Sequence, residues 1–151
     1  MFELESLQLL RELRGQVMVM QSLEGLPAFI AYFCLTAVAV IVFILIYTRI
    51  TPYNEFELIR KNGVGAAIAL GLSLLGFALP LASAVAHAAD LVDCAIWAVI
   101  ALVVQLITFF AVRIPVPDLS SRIAAGDLAP AIWLGFASLT AGLLSAASMT
   151  L

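Results

Sequence analysis

Charge is what this sequence has least of. Of its 151 residues, 11% are Asp, Glu, Lys or Arg and 64% are hydrophobic, and the mean hydropathy is +1.15. Soluble domains carry about 25% charged residues, so the chain cannot cover itself for water and is read as an integral membrane protein of one domain. A formal charge of −3 argues against clustered Lys and Arg, and so against binding of nucleic acid or polybasic docking on lipid. Cysteine is scarce. Cys34 and Cys94 lie in or beside apolar runs without Cys-x-x-Cys or Cys/His spacing, and are read neither as a zinc site nor as a disulfide framework. Phosphate loops, His-Glu-x-x-His, Ser–His–Asp sets and dinucleotide fingerprints are all missing. No catalytic, cofactor-binding or metal-ligating residue is therefore assigned, and the protein is expected not to be an enzyme.

The charge-free stretches define the architecture. Residues 27–47, 64–86, 94–112 (or from Leu91) and 128–150 are each long enough to cross a hydrocarbon core of about 30 Å. The first and third are bulky and β-branched, as suits helices facing lipid, with Tyr47 and Trp97 placed for an interface. The second and fourth are rich in Gly and Ala, and Pro80 is expected to kink the second. No Asp, Glu, Lys or Arg lies within the four spans, whereas ion-coupled transporters usually carry such groups there.

Two polar connections join spans one to two and three to four. In the first, Thr51 can cap a short helix with Pro52 at its first position, Glu55 in its first turn and Arg60 and Lys61 in its last. Asn62-Gly63 is its stop signal. In the second, Pro117 and Asp118 mark a helix start and Gly126 a stop. Residues 1–25 mix charges with apolar residues, and Phe2, Leu9, Leu13, Val17 and Met20 recur roughly at helical spacing. They are expected to form an amphipathic leader helix.

A shift of 64 positions lays the second half on the first. Arg49 and Ile50 fall on Arg113 and Ile114, and Gly71 falls on Gly135. The fold class expected is all-α: a four-transmembrane-helix bundle made of two parallel repeats, residues 26–87 and 90–151, each a span, an interfacial helix and a span. Five of the seven basic residues sit in the two longer connections. By the positive-inside rule both connections are cytoplasmic and both termini outside. The halves then share one direction, related by an axis along the membrane normal.

Small residues supply the sharpest pattern within the spans. Ala67, Gly71, Ala78 and Ala82 in the second span answer Ala131, Gly135, Ser138, Gly142 and Ala146 in the fourth. Such rows let helix backbones approach closely. They are expected to bring spans two and four together or to pack against copies in a homo-oligomer. Gln105 is a long polar side chain in mid-span, with Thr108 nearby. An unsatisfied amide in hydrocarbon costs several kcal/mol, so hydrogen-bonding to a neighbouring helix is its plainer role and lining a conduction path its sharper one. His87, Asp90 and Asp93 share one turn, where a carboxylate–imidazole group could bind a metal or sense pH, though three residues in one exposed turn are weak evidence for a ligand site. Glu55, Glu57 and Asp118 can likewise be helix-end charges rather than acid–base groups.

The segments ITPYNEFELIRKN (residues 50–62), GFALPLASA (76–84), WAVIALVVQL (97–106) and SAASMTL (145–151) resemble a bacterial family. They are similar to the YjfL-like inner-membrane proteins, the domain of unknown function numbered 350, from about Ala28 to the C-terminus. The resemblance places Thr51, Pro52, Asn54 and Glu55 in a family motif and Gln105 in another. It implies a multipass protein of the bacterial inner membrane with an internal duplication and no established activity. By association it also implies a setting of envelope stress. Asp127 stands where the family often has Asn, and Ser145 and Ser148 where it often has Asn and Cys. The leader also looks longer than the family's usual start.

These observations lead to a non-enzymatic, oligomeric membrane scaffold whose cytoplasmic helices contact a soluble protein partner. The alternative is a passive channel or transporter for a small ion or solute, with Gln105, Thr108, Ser73 and Ser138 along its path.

Overall fold

Seven helices make up the regular structure of the described residues. The computed structural model describes residues 2–150, and of residues 2–7, 9, 10, 19, 21 and 22 the backbone alone. Four helices have the length and composition of membrane spans: α2 (Leu26–Ile50), α4 (Val64–His87), α5 (Leu91–Val112) and α7 (Leu128–Ser148). They begin and end within a few residues of the charge-free stretches, because the absence of charge is the signal that a span must obey. The others are α1 (Phe2–Glu24) and two six-residue helices, α3 (Glu55–Arg60) and α6 (Leu119–Ala124).

Residues 1–34 and 35–151 form two compact units. In the first, α1 is helical as expected, and Leu13, Val17 and Met20 are exposed alongside Arg11, Glu12 and Arg14. The side chains of Phe2 and Leu9, also in the expected apolar row, lie outside the described residues. Phe29 and Phe33 stack with ring centroids 5.9 Å apart.

The second unit is built on α4. Its contact with α7 is the most extensive in the molecule, and α5 packs against both. The face of α4 that is buried holds Gly65, Ala66, Ala69, Leu70, Ser73, Gly76, Phe77, Pro80, Leu81 and Ala84. On α7 the buried residues are Pro130, Ala131, Leu134, Gly135, Ser138 and Gly142. Two glycines set the approach. A Cβ on Gly142 would collide with the carbonyl oxygen of Gly76, and one on Gly76 would collide with the carbonyl oxygen of Ser138. Backbone therefore meets backbone where the helices cross, as small residues allow in lipid. Helix α4 continues through Pro80, whose missing N–H leaves the Gly76 carbonyl without its helical donor.

Bulky residues hold the end of α2. Phe43 stacks on Phe77 of α4 at 4.7 Å, and Tyr47 meets Phe109 of α5 edge-on at 5.6 Å. Such aromatic pairs are worth about 0.5–1.5 kcal/mol beyond their buried area. Most of the remaining α2 surface is apolar and open, as befits a helix facing lipid.

Both connections lie at one end of this unit, since Gly65 at the start of α4 sits against the backbone of Ile123 and Asp127. The first departs from the expected cap. Thr51 is still in the rhythm of α2, its N–H donating to the Tyr47 carbonyl at 3.1 Å, so it cannot also start α3. Asn54 does so instead, its side chain accepting the Glu57 N–H at 3.2 Å. Asn62 (φ 61°) and Gly126 (φ 97°) end α3 and α6 in the left-handed region, where Asn and Gly are tolerated best.

Candidate functional site

Polar side chains converge where α2, α4, α5 and α7 meet. Gln105 of α5 donates from Nε2 to the Ser138 carbonyl of α7 at 3.1 Å. Ser73 of α4 and Ser138 share a hydrogen bond at 3.3 Å. The Tyr47 hydroxyl of α2 points into the same place and reaches towards Ser73 without completing a bond of ordinary geometry. Together with Phe43, Ile50, Leu106 and Phe109 these residues line a cavity of about 10 Å³. That is close to the smallest space that admits one water. Two of its polar atoms, Tyr47 Oη and Gln105 Oε1, are buried without a protein partner.

A second group lies at the end of α2. Thr51 Oγ1 contacts the Tyr47 carbonyl at 3.1 Å and also Oε1 of Glu55. Glu55 is 1% exposed, and its Oε2 has no partner. Burial pushes its carboxyl up from the ordinary value, while the bonds from Thr51 and from its own backbone N–H act the other way. Tyr53 is raised too, by burial first and by Glu55 second, with Arg113 opposing. Arg113 itself lies over the Phe109 ring, 5.6 Å from its centroid. Glu57 behaves differently. Exposed and 2.7 Å from Lys61, it is held below the usual carboxylate range by that lysine.

The remaining residues singled out from the sequence fall as follows. In α7, Ala131, Gly135, Ser138 and Gly142 face the bundle and Ala146 is half-buried, its carbonyl accepting from Ser83 of α4 at 2.9 Å. In α4, Ala67, Gly71 and Ala82 are exposed and Ala78 is half-buried. No atom outside its own helix lies within 4 Å of where a Gly71 Cβ would sit. Thr108 returns its hydroxyl to the Val104 carbonyl at 2.8 Å and is not drawn into the cavity. In the turn before α5, Asp90 accepts the Asp93 N–H at 2.8 Å, Asp93 accepts the Ala89 N–H at 3.0 Å, and His87 Nδ1 is 2.9 Å from the Ser83 carbonyl. Each has a helix-end role, and no group of three metal-ligating side chains occurs among the described residues. Pro52 is exposed and Asn54 is the cap of α3.

Two residues of these groups are given other roles by sequence alone. Tyr47 reads as an interfacial aromatic and Glu55 as a surface helix-end charge. The spacing does carry a signal, because 47, 51 and 55 differ by four and so share a helix-like face if α2 runs on past its apolar residues.

A family model described as Domain of Unknown Function (DUF350) matches residues 21–149. The chain belongs to the DUF350 family. It is 42% identical over 131 residues to the UPF0719 inner membrane protein YjfL of Escherichia coli K12, covering 87% of this chain and 99% of that protein. The YjfL protein of Escherichia coli O157:H7 matches with the same identity and coverage. The UPF0719 transmembrane protein YshE of Bacillus subtilis 168 is 26% identical over 80 residues, 53% of this chain and 60% of the relative. No solved structure matches. The names of these relatives give a membrane location and no reaction. The DUF350 match and the four apolar helices make this chain a multipass membrane protein.

Proposed function

We propose that this DUF350 protein is a non-enzymatic, oligomeric scaffold of the bacterial inner membrane, built as two parallel repeats, that offers its two cytoplasmic connections to a soluble partner. The observation that carries this reading is the second small-residue face of α4. One face is closed against α7, while Ala67, Gly71 and Ala82 point outward with open space at Gly71. An outward row of this kind fits the close approach of a helix from a second copy. The exposed Phe56 of α3 and Ile114 after α5 offer apolar contacts at the connection end. Sidedness follows from the five basic residues of the two connections.

The polar groups of the spans favour a scaffold over a pore. Gln105 donates to Ser138, Thr108 bonds to its own helix, and the space between Tyr47, Ser73, Gln105 and Ser138 is about 10 Å³. A hydrated ion needs far more room than one water.

The decisive test is Gly71→Leu, followed by cysteine crosslinking between copies in native membranes and by size analysis in mild detergent. The expected result is loss of the oligomer with the fold of each chain retained. An unchanged oligomer would remove the α4 surface from consideration. A wild-type chain that is strictly monomeric and captures no soluble partner would overturn the scaffold altogether.

A further inference from the structure

Glu55 is buried in a way that its neighbours do not explain. It is 1% exposed, and its Oε2 lacks any hydrogen-bond partner. The two ion pairs among the described residues are Lys61–Glu57 and Arg122–Asp127, and neither involves it. A carboxylate taken out of water without a cation or a full set of donors is strongly disfavoured, and such a group normally keeps its proton.

The hydrogens at Thr51 point the same way. The Thr51 hydroxyl has one hydrogen and lies against two oxygens, the Tyr47 carbonyl and Glu55 Oε1. A peptide carbonyl can only accept. If Glu55 is ionised, both contacts compete for the single hydrogen of Thr51 and one is left as two acceptors face to face. If Glu55 is a neutral acid, Thr51 donates to the Tyr47 carbonyl and the carboxyl donates its own proton to Thr51 Oγ1. Both contacts are then satisfied.

The bonds from Thr51 and from the Glu55 backbone N–H act the other way, but no cation pairs with the carboxyl. On α3 itself, Glu57 and Lys61 pair with each other at the surface, and Arg60 is exposed. Tyr47 and Arg49 come from the end of α2, and Tyr53 from the bend, with Arg113 acting on Tyr53 rather than on the carboxyl. Helix α4, on which α3 packs, carries His87 as its one titratable side chain, at its far end. On α6, Arg122 pairs with Asp127.

We propose that Glu55 is a proton-binding site that ties the docking of α3 on the membrane bundle to pH. With the proton bound to a carboxyl oxygen, α3 lies on α4 and the acid bridges to Thr51. When the proton leaves to solvent, a charge without a partner remains in a dry place, and α3 lifts until water reaches it. Because burial raises the folded carboxyl above its unfolded value, docking is at full strength below the unfolded value and is lost as pH rises through the folded one. Between those two values each pH unit weakens docking by up to about tenfold, and above the folded value the loss levels off. Neither oligomerisation nor a soluble partner is needed for this coupling.

Two measurements on the full chain in lipid nanodiscs test it. Carboxyl-carbon NMR, assigned through the Glu55 backbone, should show Glu55 protonated at a pH where Glu57 is already ionised. Amide exchange over Glu55–Arg60, corrected for intrinsic rates and referred to α4 and α7, should rise by up to about tenfold per pH unit between the ordinary carboxylate value and the Glu55 midpoint in the wild type, and level off beyond it. It should stay flat in Glu55→Gln, whose neutral amide can still donate to Thr51. Glu55 ionising together with Glu57 would overturn the proton site. A raised midpoint without a change in α3 exchange, or the same pH dependence in Glu55→Gln, would overturn the coupling to docking. The NMR measurement stands on the wild type alone, even if the variant folds poorly.

Discussion

Helices α3 and α6 have the same length, follow Asn54 and Asp118 respectively, and bury their first residue almost completely. In α3 that residue is Glu55, 1% exposed; in α6 it is Leu119, 0% exposed. A leucine evidently satisfies the packing demand of such a place, so packing does not account for a carboxyl there. The difference also shows in the capping. Asn54 accepts a backbone N–H from Glu57, whereas Asp118 makes no side-chain cap and the charge near the end of α6 is an Arg122–Asp127 pair at 2.8 Å. The first connection is thus tuned by a proton-bearing group and the second by exposed charge.

Exchanging the two buried residues should have the largest effect. Leu119→Glu places a carboxyl at a fully buried position, and should destabilise the bundle by roughly 3 kcal/mol or more at neutral pH. The loss should shrink on acidification, because the protonated side chain is nearly apolar. Glu55→Leu should cost within about 1.5 kcal/mol. Thermal or denaturant unfolding in detergent at two pH values reads both, and equal damage from the two changes would end the contrast. A second comparison concerns the glycines. Gly142→Ala forces a methyl group into the Gly76 carbonyl and should cost about 1–3 kcal/mol, while Gly71→Ala, facing open space, should leave the single chain within about 0.5 kcal/mol of wild type. The smallest effect belongs to the caps. Asn54→Ala should cost about 1 kcal/mol and loosen α3 in amide exchange; Asp118→Ala, with no cap bond to lose, should be close to neutral.

Much of this architecture is written in the absence of charge. The positions of all four spans follow from where Asp, Glu, Lys and Arg stop, because hydrocarbon tolerates nothing else over that length. The face that each span presents is harder to see. Laying the halves together at 64 pairs Gly71 with Gly135, yet Gly71 is open and Gly135 is closed against Leu72. The buried residues agree instead at a spacing of 65: Ser73 bonds Ser138 across that interval, and Ala66 and Leu70 match Ala131 and Gly135. One residue is about 100° of rotation on an α-helix. The identity of the glycines thus does not tell which face of a span is closed. Glu55 is illegible for a related reason. Its burial depends on α2 running past its apolar residues to Thr51, which composition does not announce.

Pro80 gives the crossing of α4 and α7 a chemistry as well as a shape. Proline at this place releases one main-chain acceptor from its own helix, the carbonyl of Gly76, and directs it to a neighbour with no side chain in the way. The Gly142 Cα stands against that oxygen, and the Gly76 Cα against the oxygen of Ser138. Weakly polarised C–H groups can serve carbonyls at helix interfaces, each contact worth about 0.5–1 kcal/mol. A residue that would weaken an isolated helix thereby becomes a fastening between two rows of peptide dipoles, and Pro80→Ala would return the oxygen to its own helix and loosen the pair.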